Sequence, residues 1–201
     1  MEFPNLTFFR RFLTHPGQVG AVCPSSPELG RMMVADVGLE TAQCVVELGP
    51  GTGAITREII AAMAPYPEKR FLAVELDESL CDGLRRDFPT LELFNDSASN
   101  LPEILRSADL KTAELVLSGL PWAIFPESLQ REILTAVWES LSPGGYFATF
   151  AYVQGVWLPA GRKFRELLWE TFGKVELSPI VWRNFPPAFV YRCRKNGDSG
   201  C

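Results

Sequence analysis

Short apolar runs alternate with amphipathic segments along most of the chain. Runs rich in β-branched and aromatic residues fall at 44–48, 71–75, 91–94, 114–118 and 146–152, and each of the first four precedes a stretch with helical periodicity. Such alternation predicts a doubly wound α/β sheet, because a helix must carry the chain back before the next strand can lie parallel. Helices are predicted at 54–63, 78–87, 101–107 and 127–141. In the last of these Leu129, Ile133, Val137 and Leu141 share one face, and Ser142-Pro143-Gly144-Gly145 is its expected stop. A helix at 162–172 then leads into two strand-like runs, 174–181 and 188–193, joined by Arg183-Asn184-Phe185-Pro186-Pro187. This ending predicts an antiparallel hairpin that completes a seven-stranded, mostly parallel sheet. Ahead of the first strand, helices at 6–14 and 27–37 give residues 1–40 the character of a helical extension.

Length and composition narrow the organisation. With 201 residues and 47% hydrophobic content, the chain is expected to fold as a single domain over 1–201, with only 196–201 reading as a disordered tail. A net charge of −5 argues against a broad nucleic-acid face and leaves room for local basic patches. The five cysteines are odd in number and form no C-x-x-C pair, so neither a zinc site nor a disulfide framework is expected and the chain reads as cytosolic. No stretch of about eighteen apolar residues occurs, so neither a signal peptide nor a membrane span is expected.

The sharpest chemical signal lies where the first predicted strand meets its helix, at Val45-Val46-Glu47-Leu48-Gly49-Pro50-Gly51-Thr52-Gly53. Glycines at alternate positions let the backbone bend tightly and approach a ligand, and the free N–H groups of the following helix favour a negative group. The spacing is G-x-G-x-G, not the G-x-G-x-x-G of dinucleotide sites, and the strand carries an acid, Glu47. That combination suits a ligand with both a carboxylate and positive charge, which S-adenosylmethionine has. Twenty-two residues beyond Gly53, the second strand ends in Glu75, where a carboxylate can accept both hydroxyls of a ribose, with Leu76 beside it. The third strand runs into Asn95-Asp96-Ser97-Ala98. There Asp96 can accept from an adenine amine while the adjacent N–H at Ser97 donates to the ring, although Asn95 and Ser97 equally suit a turn or a cap.

The fourth strand ends in Ser118-Gly119-Leu120-Pro121-Trp122, at the sheet edge where ligands bind in open α/β folds. Methyl transfer to an amine needs a neutral lone pair, alignment and exclusion of water. Backbone carbonyls of this turn can hold the amine and Trp122 can face a cation; the alternative for Trp122 is a core aromatic that caps the sheet. Tyr152 closes the fifth strand and is expected to line the acceptor pocket, ahead of the single histidine, His15, as a group near the departing proton. Phe8, Phe9 and Phe12 surround a predicted helix that also carries Arg10 and Arg11, a composition able to lie in an anionic headgroup layer or to pack as a lid. Arg183 or Arg10 can supply a cation for a phosphate, or remain an ordinary solvated charge.

The segment Glu47 to Gly53, with Glu75, Asp96 and Ser118-Gly119-Leu120-Pro121, resembles the motif series of the class I S-adenosylmethionine-dependent methyltransferases, which have a Rossmann-like fold. More narrowly it is similar to the bacterial phospholipid N-methyltransferases that act on phosphatidylethanolamine, a group that itself resembles the rRNA adenine dimethyltransferases. Val19-Gly20-Ala21-Val22-Cys23-Pro24-Ser25-Ser26 and Asn184-Phe185-Pro186-Pro187-Ala188 also match the phospholipid group, so the resemblance spans nearly the whole chain. It departs at Trp122, where a smaller aliphatic residue is expected in many relatives. The resemblance implies S-adenosylmethionine as cofactor, S-adenosylhomocysteine as product and a phosphatidylethanolamine headgroup as acceptor, with successive methylations leading toward phosphatidylcholine. It implies peripheral attachment to an anionic membrane at its inner, cytoplasmic face, with residues 1–40, Ser25, Ser26 and Arg183 on the acceptor or membrane side. Two other functions stay open at this point. One is an adenine N6-methyltransferase of rRNA, disfavoured by the negative charge and by the lack of an added helical domain. The other is a non-catalytic, cofactor-sensing membrane-binding module.

Overall fold

The structure, a computed structural model, describes residues 25–197. The predicted helix at 6–14, with Phe8, Phe9, Arg10, Arg11 and Phe12, lies outside the described residues, as do His15 and the tail from 198. Seven strands form one sheet: β1 (Cys44–Leu48), β2 (Arg70–Glu75), β3 (Glu92–Asn95), β4 (Ala113–Ser118), β5 (Leu141–Tyr152), β6 (Val175–Leu177) and β7 (Ala188–Arg194). Their spatial order is β3-β2-β1-β4-β5-β7-β6, parallel except where β7 runs antiparallel between β5 and β6. From β1 the chain builds outward first through β2 and β3, then on the other side through β4 and β5. The crevice beside β1 is therefore a switch point, the place where such sheets take ligands.

Strands β1 and β4 are near-continuous apolar runs because both faces of the sheet are covered. Val46, Leu48, Val116 and Phe147 face one layer with α4 (Leu101–Ser107), α5 (Glu127–Ser140) and α6 (Pro159–Phe172). Val45, Leu115, Leu117 and Ala148 face the other, with α1 (Pro27–Val34) and α2 (Ala54–Met63). The remaining helix, α3 (Glu78–Asp87), starts at Asp77, whose Oδ1 accepts the N–H groups of Ser79 and Leu80 at 2.9 and 3.3 Å. Register puts the strand ends level. Leu48 lies opposite both Val74 and Ser118, Glu75 opposite Asn95, and Ser118 opposite Thr149.

Several boundaries differ from those the sequence suggests, and α1 ends at Val34, not at 37. Ser142-Pro143-Gly144-Gly145 is not a loop but part of β5, a bulge between the Ala113–Leu141 and Leu115–Tyr146 pairs. Gly144 takes a positive φ of 81° there, and its N–H donates to Lys195 while the Gly145 carbonyl accepts from Lys195, so the bulge stays tied to the end of β7. Helix α6 begins at Pro159, whose fixed φ suits a first helical turn, and not at 162. The run at 174–181 yields only three residues of β6 and a single bridge from Val181 to Ala188, because Pro179 interrupts the ladder.

Candidate active site at the carboxyl edge of the sheet

The glycine turn and the turn after β4 are packed directly on each other. Gly49 donates to the Val74 carbonyl at 2.9 Å and Gly119 donates to the Leu48 carbonyl at 2.8 Å, so the ends of β2, β1 and β4 are laced together. A side chain has no room at this junction: a Cβ on Gly119 would stand 2.6 Å from the Gly49 carbonyl oxygen, and one on Gly49 would stand 2.7 Å from Leu120. Gly51 is the opposite case. Its φ is +59°, and a Cβ built there would meet nothing within 4 Å, so this part of the loop borders open space. Pro50 and Thr52 complete the turn, which the Gly53 N–H closes onto the Pro50 carbonyl at 2.9 Å before α2 begins.

Two carboxylates stand behind that loop. Glu47 is 1% exposed; its Oε2 accepts from the Thr56 hydroxyl at 2.7 Å, and its Oε1 has no hydrogen-bond partner. Burial pushes its carboxyl up to about 8, against the effect of the Thr56 bond and with a smaller push from the charge of Glu75. Glu75 is also buried, and its two oxygens accept from the N–H groups of Gly51 and Asp77 at 3.1 and 3.0 Å. Burial raises its carboxyl as well, opposed by backbone donors of Asp77, Gly51 and Leu76. Each oxygen of a carboxylate can accept twice, so Glu75 keeps capacity for a further donor pair.

Beyond β3, Asp96 uses one oxygen to accept from the Ser97 N–H at 2.6 Å and the Asn100 side chain at 2.8 Å. Its N–H in turn donates to the Glu75 carbonyl at 3.1 Å, which fixes the two acids relative to each other. Asn95 is a buckle: its Nδ2 donates to the carbonyls of Glu75 and Leu76 at 2.9 and 3.1 Å. Ser97 caps a short helical turn through the Ser99 N–H. The cradle at Gly51, the buried Glu47 oxygen without a partner, and the spare acceptor capacity of Glu75 fit S-adenosylmethionine, which presents an ammonium, ribose hydroxyls and an adenine amine.

The β4 turn is built differently. Ser118 is fully buried, and its hydroxyl accepts from the Leu120 N–H at 3.3 Å and from the Trp122 indole N–H at 3.1 Å. Its carbonyl accepts from the Thr149 hydroxyl at 3.0 Å. Trp122 does not line an open pocket. It is 3% exposed, stacked on Phe164 at 4.7 Å and edge-on to Phe125 and Phe147, so its ring is core. Gln130 on α5 clamps the same turn from outside by donating to the carbonyls of Trp122 and Phe125 at 2.7 and 3.1 Å. The Leu120 and Pro121 carbonyls accept from Trp122 and Ile124. Within this turn, among the described residues, the Gly119 carbonyl alone has no hydrogen-bond partner. Tyr152 is half-buried at the end of β5, edge-on to Phe150 at 5.6 Å.

The described end of the upstream phrase, Ser26, meets the downstream phrase in space, while residues 19–24 lie outside the described residues. Ser26 caps α1 by accepting from the Leu29 N–H at 3.2 Å, and its own N–H donates to Asn184 Oδ1 at 2.9 Å. Asn184 also donates to the Pro186 carbonyl at 2.7 Å, while Arg183 pairs with Glu28 at 3.4 Å. Ser26 is thus tied to the segment that carries Arg183, whose guanidinium is engaged by Glu28. Thr56, Asp77, Gln130 and Thr149 are contributors that sequence reasoning did not single out, and Asn184 was quoted only as part of a matching phrase. Asp77 alone had a local signal, an acid one residue before a predicted helix; the others depend on which segments meet.

No family model matches the chain. It is 33% identical over 190 residues to the ornithine lipid N-methyltransferase of Singulisphaera acidiphila, a match that covers 93% of this chain and 94% of that protein. It is 30% identical over 109 residues to the ribosomal RNA small subunit methyltransferase A of Thermotoga petrophila, covering 53% of this chain but 38% of that protein. Among solved structures, an O-methyltransferase from Bacillus cereus in complex with SAH superposes with a TM-score of 0.66 at 13% identity, over 97% of this chain and 92% of that one. The O-methyltransferase TomG from Streptomyces achromogenes in complex with SAM gives 0.64 at 16% identity, over 98% and 92%. These two likenesses establish the fold, and the lipid enzyme establishes the family. The chain belongs to the class I S-adenosylmethionine-dependent methyltransferases, in the family of the Singulisphaera acidiphila lipid N-methyltransferase.

Proposed function

We propose that this protein methylates the primary amine of a membrane lipid, with an ornithine lipid as the first acceptor to consider and phosphatidylethanolamine as the second. The observation that carries the reading is the end-to-end correspondence with the Singulisphaera acidiphila enzyme, at 94% of its length, where the rRNA relative is matched over only 38% of its own. The ornithine lipid comes first because that relative is named for it; phosphatidylethanolamine, the acceptor expected from the motifs, offers the same amine chemistry.

When bound, S-adenosylmethionine supplies an electrophilic methyl group on a sulfonium. Glu75 would accept from the ribose hydroxyls, Asp96 from the adenine amine and Glu47 from the ammonium, with Gly49 to Gly53, Leu76 and Ser97 forming the cradle. On the acceptor side the Gly119 carbonyl accepts a hydrogen bond from the amine N–H and so aims the lone pair, while Ser118, Leu120, Pro121 and Trp122 hold that carbonyl in place from behind. Tyr152 borders the acceptor at the end of β5. No helix among the described residues is long and apolar enough to cross a membrane. We assign peripheral attachment at the cytoplasmic face, with Phe8, Phe9, Arg10, Arg11 and Phe12 among the contacts and Arg183 and Ser26 near the headgroup; nucleic acid is not the partner.

The test is incubation of the full chain with labelled cofactor and detergent-dispersed ornithine lipid, phosphatidylethanolamine or small-subunit rRNA. Label is expected on a lipid amine. Label in rRNA with none in either lipid would overturn the assignment.

A further inference from the structure

Aromatic residues crown one end of the molecule. Trp157, Trp182 and Phe185 are 73%, 71% and 76% exposed, and Leu158 is 55% exposed, whereas most other large apolar side chains among the described residues are buried. They belong to two segments that leave the same end of neighbouring strands. Tyr152, the last residue of β5, pairs with Ala188, the first of β7, and the Val153 N–H donates to the Pro187 carbonyl at 2.9 Å. Both segments therefore rise from the carboxyl edge, next to the turns that form the site. Several exposed aromatics on one rim exceed what scattered surface residues explain.

The charge of this rim differs from that of the molecule. The chain carries a net −5, yet residues 153–165 include Arg162, Lys163 and Arg165 and no acid, and residues 179–188 include Arg183 and no acid. An open groove of about 680 Å³ beside α6 is lined by Trp157, Arg162, Arg165 and Trp169, with Glu166 and Glu170 at its border. The acids that border it are already engaged: Glu170 pairs with Arg131 at 3.1 Å and Glu166 with Lys163 at 3.7 Å. Arg162 and Arg165 have no ion-pair partner among the described residues.

We propose that this rim is the face on which the protein lies against an anionic lipid bilayer, the aromatic rings entering the interface and Arg162 and Arg165 meeting the headgroups. Tryptophan and phenylalanine beside arginine is the composition that partitions into that layer, and basic residues gain from an anionic leaflet. Charge also decides between occupants. Residues 1–24 contain Arg10, Arg11 and only one acid, Glu2, so that segment does not complement two unpaired arginines. A second copy joined across a two-fold axis would set the same basic rim against itself. The rest of the surface is acidic on balance, so an anionic membrane admits the molecule in one orientation, with the carboxyl edge toward the lipid. The inference rests on the lipid-acceptor reading, since an amine fixed to a bilayer must be offered to that edge.

The test is flotation of the full chain with vesicles of phosphatidylcholine alone and of phosphatidylcholine with phosphatidylglycerol. Trp157→Ser/Trp182→Ser/Phe185→Ser is expected to lower partition to both by about tenfold or more. Arg162→Gln/Arg165→Gln is expected to lower only the phosphatidylglycerol-dependent part, by about fivefold per charge, and to flatten its salt dependence. Unchanged cofactor affinity by equilibrium dialysis shows that a variant is folded, and Trp157→Ser alone serves if the triple variant is not. Wild-type flotation by folded variants overturns the proposal. So does a triple variant that floats normally but falls to a lower oligomeric mass, because the rim then joins copies of the chain. Methylation of detergent-dispersed lipid separates the two readings. If the wild type floats as stated yet methylates no dispersed aminolipid, the function falls and the rim stands. If it methylates lipid while the variants float unchanged, the rim falls and the function stands.

Discussion

The two sides of the carboxyl edge are built on different physics. On the β1–β2–β3 side, acids are fixed by named donors, Glu47 by Thr56 and Glu75 by Gly51 and Asp77, both buried, and the half-buried Asp96 by Ser97 and Asn100. On the β4–β5 side the turn is set by aromatic packing, with Trp122 against Phe164, Phe125 and Phe147, and what it offers outward is backbone. A side of fixed acids reads a small ligand group by group. A side of buried rings and one free carbonyl reads an amine and leaves the rest of the acceptor to the surrounding surface. The contrast predicts a large effect first: Trp122→Ala should lower stability by about 3–5 kcal/mol in urea denaturation, as loss of a core aromatic does. Trp122→Phe, which keeps a ring and loses the indole bond to Ser118, should cost about 1–2 kcal/mol. If Trp122→Ala left stability intact and changed only the KM for lipid, the ring would be an acceptor wall and the contrast would fail.

The difference also explains how much could be read from the sequence. Residues of the cofactor side are local: an acid, a glycine turn and a helix start fall within a dozen positions, and strand-end acids follow at fixed distances. The fold was legible for the same reason, since alternation of strand and helix patterns is a short-range signal. Trp122 was open to two readings because its environment comes from Phe164 on α6 and Phe147 on β5, which only the folded chain brings near. The Ser26–Asn184 bond joins residues separated by 158 positions and has no local trace. At Ser142-Pro143-Gly144-Gly145, punctuation that ordinarily ends an element became a bulge, because backbone pairing with Lys195, just past the end of β7, kept the segment tied to the sheet.

A second expectation tests whether the acidic side is dry. The Glu47 carboxyl rises from an ordinary 4.5 to about 8 on folding, chiefly by burial. A raised value means that the folded state holds the proton more tightly than the unfolded one, so this contribution is full below the unfolded value and is lost as pH rises toward about 8. Stability of the cofactor-free protein should therefore fall by about 1.4 kcal/mol per pH unit across that window from this group. Glu47→Gln, which keeps an acceptor for Thr56 and cannot ionise, should flatten the slope in urea denaturation at about pH 6 and about pH 8. Saturating cofactor should flatten it in the wild type too, because an ammonium beside the carboxylate favours the charged form. A wild-type slope that survives in the variant would place the titration elsewhere and leave Glu47 ionised in the resting protein.

The smallest expected effect discriminates most finely, because it separates the cradle from the scaffold around it. Gly51 and Gly119 lie in adjoining turns, yet a Cβ on Gly119 collides with the Gly49 carbonyl whereas one on Gly51 meets nothing within 4 Å. Gly51→Ala should therefore cost only the strain of a left-handed residue, about 1 kcal/mol of stability. Cofactor affinity, measured by equilibrium dialysis, should fall further, by about tenfold or more, because the new methyl group occupies the space the ligand needs. Stability and affinity that fell by equal free energies would mean that Gly51 serves only the shape of its own turn. Affinity that fell alone would make the empty side of this loop the place where the donor is held, with the acids behind it and the aromatic turn across from it.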